Sequence, residues 1–316
     1  MKKKTAILLG VCLLLAVPSG CAQKNDSAQP SGKISVISTI FAPYDFAREI
    51  AGENAEITML LPPGTESHSY EPTPQDIIKI QNCDVLVYVG GESDAWMGQV
   101  LESMDTSKIK IVTLMDCVEV VEEELVEGMK DSQSHDEPRQ REYDEHVWTS
   151  PKNAKIIVQT ISDALCHVDS ANAGSYKERT AAYFSQLNEL DAKFEGIVGA
   201  AARKTLVFGD RFPFRYFADA YGLEYFAAFP GCATETEASA ATIAFLIDKV
   251  NAEGIPVVFH LELSNRKMAS TISDATGAKV LLFHACHNVT KDEMARGVSY
   301  LELMNQNAEN LKEALK

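Results

Sequence analysis

Leu60-Leu61-Pro62-Pro63-Gly64-Thr65-Glu66-Ser67-His68-Ser69-Tyr70-Glu71-Pro72-Thr73-Pro74 joins two regular elements through a short, heavily punctuated connection. The run Ala55 to Leu61 before it is mostly apolar, and two prolines and a glycine stop it, so the chain leaves a strand and turns sharply before a histidine. Beyond the turn, Thr73 can cap a helix whose first position suits Pro74, and Gln75-Asp76-Ile77-Ile78-Lys79-Ile80 continues it. His68 therefore falls on a loop at the carboxyl end of a strand, between two rigid elements. A second segment of the same kind, Asp144-Glu145-His146-Val147-Trp148-Thr149-Ser150-Pro151, sets His146 ahead of another helix opened by proline.

Outward from this point, strands at Lys33 to Ile40, Ile57 to Leu61, Asp84 to Val89 and Ile109 to Leu114 alternate with helices at Pro43 to Ala51, Pro74 to Gln81 and Trp96 to Met104. Such alternation, with some strands apolar throughout, predicts a parallel sheet covered on both faces. A second series opens at Thr205 to Phe208. Its strands at Leu223 to Ala228, Pro256 to Leu261 and Lys279 to Phe283 alternate with helices at Phe214 to Tyr221, Glu237 to Glu253, Lys267 to Thr276 and Gly297 to Leu315. Between the series lie a helix from Pro151 to Val168 and a longer helical pattern from about Ala171 to Ala202, which at 1.5 Å per residue reaches ~40 Å. The expected fold class is α/β, with two lobes, each a mostly parallel sheet flanked by helices, spanning residues 34–170 and 203–316. One long linker helix, 171–202, joins them. Ligands of such sheets gather beyond the carboxyl ends of the strands, so a shared site belongs in the cleft between the lobes.

The chain begins with three lysines, an apolar run from Ala6 to Val17 too short to span a bilayer, and small residues before Cys21. Residues 1–20 have the pattern of a secretory signal. The small residues also resemble a bacterial lipoprotein cleavage site, which would make Cys21 a lipid-bearing terminus, although Pro18 stands where such sites usually carry leucine. Residues 21–33 are polar, the composition of a flexible tether. The net charge is −16, or about −19 once the three lysines of the signal are removed. A field of that sign excludes nucleic acid as a natural partner and suits cations. The densest acidity lies in a loop at 119–145, which contains His135. Its composition is that of a solvated insertion, or of a transient collector of divalent cations.

The two histidine segments together resemble the first and second histidine motifs of the zinc- and manganese-binding lipoproteins of bacterial ABC importers, the ZnuA/TroA-like family. The likeness covers essentially the whole mature chain, including the linker helix and the acidic insertion. It implies an extracytoplasmic substrate-binding protein, anchored to the cell membrane through Cys21, that is monomeric and delivers its metal to a cognate ABC permease. The family supplies a third histidine from the second lobe, and counting back from Tyr216 that position holds Arg211. An arginine stays protonated and has no lone pair, so it is not a ligand. His284 stands where the family has its carboxylate. The ligand set implied is therefore His68, His146 and His284. Asp210, Glu262, His287 or water would complete it, unless Arg211 pairs with one of those carboxylates. Imidazole in place of a carboxylate favours zinc over manganese. Glu235 and Glu237 resemble the family's acidic turn before a helix, and capping explains them as well. His260, within its strand, reads as a core residue.

With Cys12 and Cys21 assigned to the signal and the anchor, five cysteines remain and no Cys-x-x-Cys pair. A thiolate zinc site is therefore not expected. Cys232 and Cys286 both follow second-lobe strands and form the expected disulfide, with Cys83 and Cys117 as a second pairing. No Ser/His/Asp set, nucleophile elbow or His-Glu-x-x-His segment accompanies the histidines, so no enzyme is expected. The alternatives are a metal-dependent hydrolase using the same histidines, or an adhesin or solute binder in which Arg211 has altered the metal site.

Overall fold

The computed structural model describes residues 32–67, 69–129, 142–233 and 238–316. The signal, Cys21 and most of the tether lie outside the described residues, as do His68, His135, Glu235 and Glu237. Among the described residues, no helix is long and apolar enough to cross a membrane.

The first lobe runs β1 (Ile34–Ser38), α1 (Phe41–Ala51), β2 (Ala55–Met59), α2 (Pro74–Gln81), β3 (Val85–Tyr88), α3 (Ala95–Glu102), β4 (Lys110–Thr113) and α4 (Pro151–Val168). Its four strands pair in parallel in the order β2-β1-β3-β4. Helix α5 (Ala173–Gly199) leads to the second lobe: β5 (Thr205–Phe212), α6 (Arg215–Tyr221), β6 (Glu224–Pro230), α7 (Ala240–Glu253), β7 (Val257–His260), α8 (Lys267–Thr276), β8 (Lys279–Leu282), α9 (Lys291–Ala295) and α10 (Tyr300–Ala314). The second sheet repeats the plan as β6-β5-β7-β8, again all parallel. In each sheet the connections leave the first strand toward opposite sides, so β1 and β5 mark the switch points where a crevice opens at the strand carboxyl ends.

The local chemistry follows the sequence closely around α2. Pro74 takes the first helical turn, Thr73 caps it by accepting from the Asp76 amide, and the Asp76 side chain accepts from the Thr73 backbone in return. Burial works against the Asp76 charge, but the bonds from Thr73 and Lys79 prevail and lower its pKa to about 2. Gly64, with φ at 84°, makes the turn that opens this connection.

Helix α5 has 27 residues and binds both lobes through its apolar face. Tyr183 packs edge-on against Phe46 of α1 with ring centroids 6.2 Å apart, and Phe194 packs against Phe217 of α6 at 4.8 Å. The same continuous core holds Phe208, Phe259 and Phe283 under the second sheet.

Three departures from the sequence reading affect the site. Strand β5 is eight residues long, and its register shifts between Phe208 and Arg211, so Arg211 is carried on the strand beyond a bulge. The described ends of the acidic loop pair with each other through an antiparallel bridge between Glu122 and Tyr143, so this part of the loop has its own backbone bonds. The five described cysteines downstream of the tether, Cys83, Cys117, Cys166, Cys232 and Cys286, are all free thiols, which overturns the Cys232–Cys286 and Cys83–Cys117 pairings. The reason is local: Cys286 is sealed in the core with its thiol on the His284 carbonyl, whereas the Cys232 backbone is held by Glu123.

Candidate metal centre

His146 is fully buried at the end of the acidic loop, just before α4. Asp144 fixes it twice, accepting from the His146 amide at 2.8 Å and standing 2.9 Å from its Nδ1. A proton on Nδ1 leaves the ring lone pair on Nε2, the atom a cation would take. Burial opposes a charge on this ring, but the Asp144 carboxylate, with Glu145 and Glu123 behind it, prevails and holds its pKa above the usual histidine value.

The second lobe presents His287, rather than His284, to this ring. The His146 and His287 centroids are 4.8 Å apart and nearly perpendicular, and Trp148 packs edge-on against His287 at 5.2 Å. His287 Nδ1 lies 3.5 Å from Glu262 Oε1, so it too has a carboxylate behind the nitrogen that faces away from a cation. Burial lowers the His287 pKa, and the neighbouring His146 charge adds to that against the pull of Glu262.

His284 is also buried, with its Nδ1 3.6 Å from Glu262 Oε2, but its ring has a further partner. Its Nδ1 accepts from the Cys286 amide at 3.0 Å, which puts the ring proton on Nε2. That Nε2 finds no hydrogen-bond partner among the described residues. Coordination through it would require Nδ1 to carry the proton, and a backbone donor already holds that position. Asn307 grips the same residue from α10, accepting from the His284 amide at 2.7 Å and donating to its carbonyl at 2.8 Å. Replacing the fully buried Asn307 with leucine should destabilise the protein by about 2–3 kcal/mol, because two buried backbone groups lose their partners. Urea unfolding of the two proteins measures it, and an unchanged midpoint would show that Asn307 carries no such load.

Glu262 organises the turn after β8. Its side chain is 8% exposed, and it accepts from the Ala285 amide at 2.7 Å and the His287 amide at 3.1 Å. Both bonds depend on Cys286 standing at φ 61°, an unusual backbone for a residue with a side chain, which turns two amides toward one carboxylate. Burial works against the Glu262 charge, yet His284, His287 and the amides prevail and keep its pKa well below the carboxylate range.

Asp210 and Arg211 do not pair through their side chains. The Asp210 carboxylate accepts from the amides of Arg211 and Leu261, tying the bulge of β5 to the end of β7. The Arg211 guanidinium crosses the cleft to Glu66 Oε2 at 3.0 Å and also donates to the Ala233 carbonyl. A small pocket between the lobes is lined by Glu66, Ser67, Arg211, Glu262 and His287, among others. His260 is a core residue as read, with Nδ1 2.8 Å from the Leu261 carbonyl and its pKa lowered by burial.

Two groups take roles at the site that the sequence did not assign to them. Glu66, two positions before the motif histidine, partners Arg211. Cys232 lies with His146 and Glu145 so that one ligand atom from each falls within 4.8 Å of the others. Burial, with the charges of Glu145, Asp144 and Glu123, pushes the Cys232 thiol far above the ordinary cysteine value.

A family model described as zinc-uptake complex component A, periplasmic (ZnuA), matches residues 36–314. The chain is 29% identical over 316 residues to the zinc-binding lipoprotein AdcA of Streptococcus pneumoniae (strain ATCC BAA-255 / R6), an alignment covering 99% of this chain and 61% of that protein. It therefore spans about three fifths of that relative's length. It is 27% identical over 314 residues to the high-affinity zinc uptake system protein ZnuA of Bacillus subtilis (strain 168), covering 98% of this chain and 96% of that one. Among solved structures, the Zn(II)-bound ZnuA-like domain of S. pneumoniae AdcA superposes with a TM-score of 0.74 at 28% identity, over 90% of this chain and 99% of that one.

Proposed function

The chain belongs to the zinc-uptake complex component A (ZnuA) family, and from that premise we propose that it captures zinc between its lobes and hands it to an ABC permease. It acts as a carrier and not as an enzyme, and a lipid on Cys21 would hold it at the outer face of the cell membrane. The observation that carries this reading is the pair of buried imidazoles, His146 and His287, each backed by a carboxylate at Nδ1 and meeting from opposite lobes. Two neutral nitrogens of this kind suit zinc better than manganese. The sequence motif adds His68 as a third donor. His284 is left out of the set, since its tautomer serves the backbone.

Titration of the metal-stripped mature chain with zinc, against a competing chelator, tests the reading. One ion should bind tightly, without turnover of ester or peptide substrates. Absence of binding would move the chain to the class of adhesins or solute binders, with the Arg211–Glu66 pair filling the cleft.

The pH dependence follows from the donors. Zinc displaces protons from nitrogen, so affinity falls as pH drops, approaching ~10-fold per pH unit for each proton displaced. Because the His146 pKa is raised, the fall should begin above the ordinary histidine value of ~6.5. Dissociation constants measured across the range from about pH 8 to about pH 5.5 check this, and a flat profile contradicts it.

A further inference from the structure

We propose, resting on the zinc-capture reading above, that Cys232 is a ligand, its thiolate supplying the second-lobe donor that Arg211 cannot. Arg211 has no lone pair and is engaged with Glu66 and the Ala233 carbonyl. Among the described residues, His146, Glu145 and Cys232 form a mixed donor set whose ligand atoms lie within 4.8 Å of one another. A tetrahedral zinc with sulfur at ~2.3 Å and nitrogen at ~2.0 Å holds those atoms about 3.5 Å apart, so the cluster needs only a small closure to grip an ion.

The turn is built to make this approach. Pro230 ends β6, and Gly231 is pressed against the His146 ring: a Cβ there would stand 3.0 Å from His146 Cε1 and 2.9 Å from the Phe212 carbonyl oxygen. Glycine alone lets the backbone come that close, and the next residue is Cys232. From the first lobe, Glu123 accepts from the Cys232 amide at 2.8 Å and fixes the turn against the loop that carries His146. The surrounding carboxylates, Glu123, Asp144 and Glu145, offset the charge of a dication. On binding, a bond forms between sulfur and zinc, the S–H bond breaks, and the proton leaves to solvent. A soft thiolate also sharpens the preference for zinc over manganese.

Cobalt(II) and cadmium(II) report directly on sulfur coordination, because a thiolate ligand gives them an ultraviolet charge-transfer band. Titrating the metal-stripped mature chain with either ion should raise this band to one equivalent. Cys232→Ser and Cys232→Ala should abolish the band and weaken zinc binding by ~100-fold, one donor's share of a four-ligand site. The metal-free variants should keep the thermal midpoint of the parent, and Cys166→Ser, changed away from the site, should keep the band. If the parent binds one ion without the band, or the Cys232 variants retain band and affinity, the ligand assignment is overturned while zinc capture by the histidines stands. If the parent binds no zinc, cobalt or cadmium, both fall together.

Discussion

His146→Ala should abolish high-affinity zinc capture, weakening binding by ~10²–10³-fold, because it removes one of about four donors that share the binding free energy of such a site. The loss is large because the ring is preorganised. Asp144 holds its Nδ1 at 2.9 Å, and neither the ring nor that carboxylate is exposed enough to reorient cheaply. Asp144→Asn, which keeps the shape but weakens the orienting bond, should cost less, about 10–100-fold. His135→Ala, in the acidic insertion, should change affinity by less than either. Competition titration ranks the three, and an H146A protein that binds zinc like the parent would remove this residue from the site.

Trp148→Ala carries the largest expected loss of stability, about 3–5 kcal/mol, the usual range for deleting a buried aromatic. For a chain of this size, that lowers the thermal midpoint by roughly 10 °C. The residue is 1% exposed. Its indole donates to the Ala285 carbonyl at 2.7 Å, its own carbonyl accepts from the Tyr300 hydroxyl at 2.8 Å, and its ring walls His287. The substitution therefore empties core volume and frees the second-lobe turn at once, so zinc affinity should fall with stability. Trp148→Phe, which retains most of the packing and loses the indole bond, should cost only about 1–1.5 kcal/mol. Calorimetry separates the two variants. Equal midpoints would show that the indole bond, and not the packing, holds the lobes here.

The alternation of strands and helices is plain in the sequence because the strands are short, mostly apolar segments, such as Val85 to Tyr88 and Val257 to His260, set between turn residues. The Thr73–Pro74 helix start could be read residue by residue. What escaped depended on geometry that no residue type announces. His284 and His287 share one short segment, and the positive φ at Cys286 decides which of them meets His146. That Arg211 cannot bind metal follows from its residue type, but its partner Glu66 is 145 positions away and nothing local points to it. The sequence does not show that Cys232 lies beside His146 rather than beside Cys286, since that closeness depends on how tightly Gly231 packs. Helix α9 is too short for periodicity to reveal, although Thr290 and Glu293 form a capping box that the sequence shows.

The turn bearing His287 is sewn to the opposite lobe by its own main chain. Phe41 N donates to the His287 carbonyl at 2.8 Å, Ala42 N to that of Cys286 at 3.2 Å, and Gly64 N to that of Val289 at 2.8 Å. Asn288 adds two bonds to the carbonyls of Pro62 and Thr65, each 2.8 Å long. Swinging the lobes apart like a clamshell would tear this seam, at about 1 kcal/mol for each bond and more for any left dry. The inexpensive route is for side chains and the short loops at the rim to part around the ion. If the chain carries zinc as proposed, the ion would pass through a slit at the edge of this seam rather than through a gap between separated lobes.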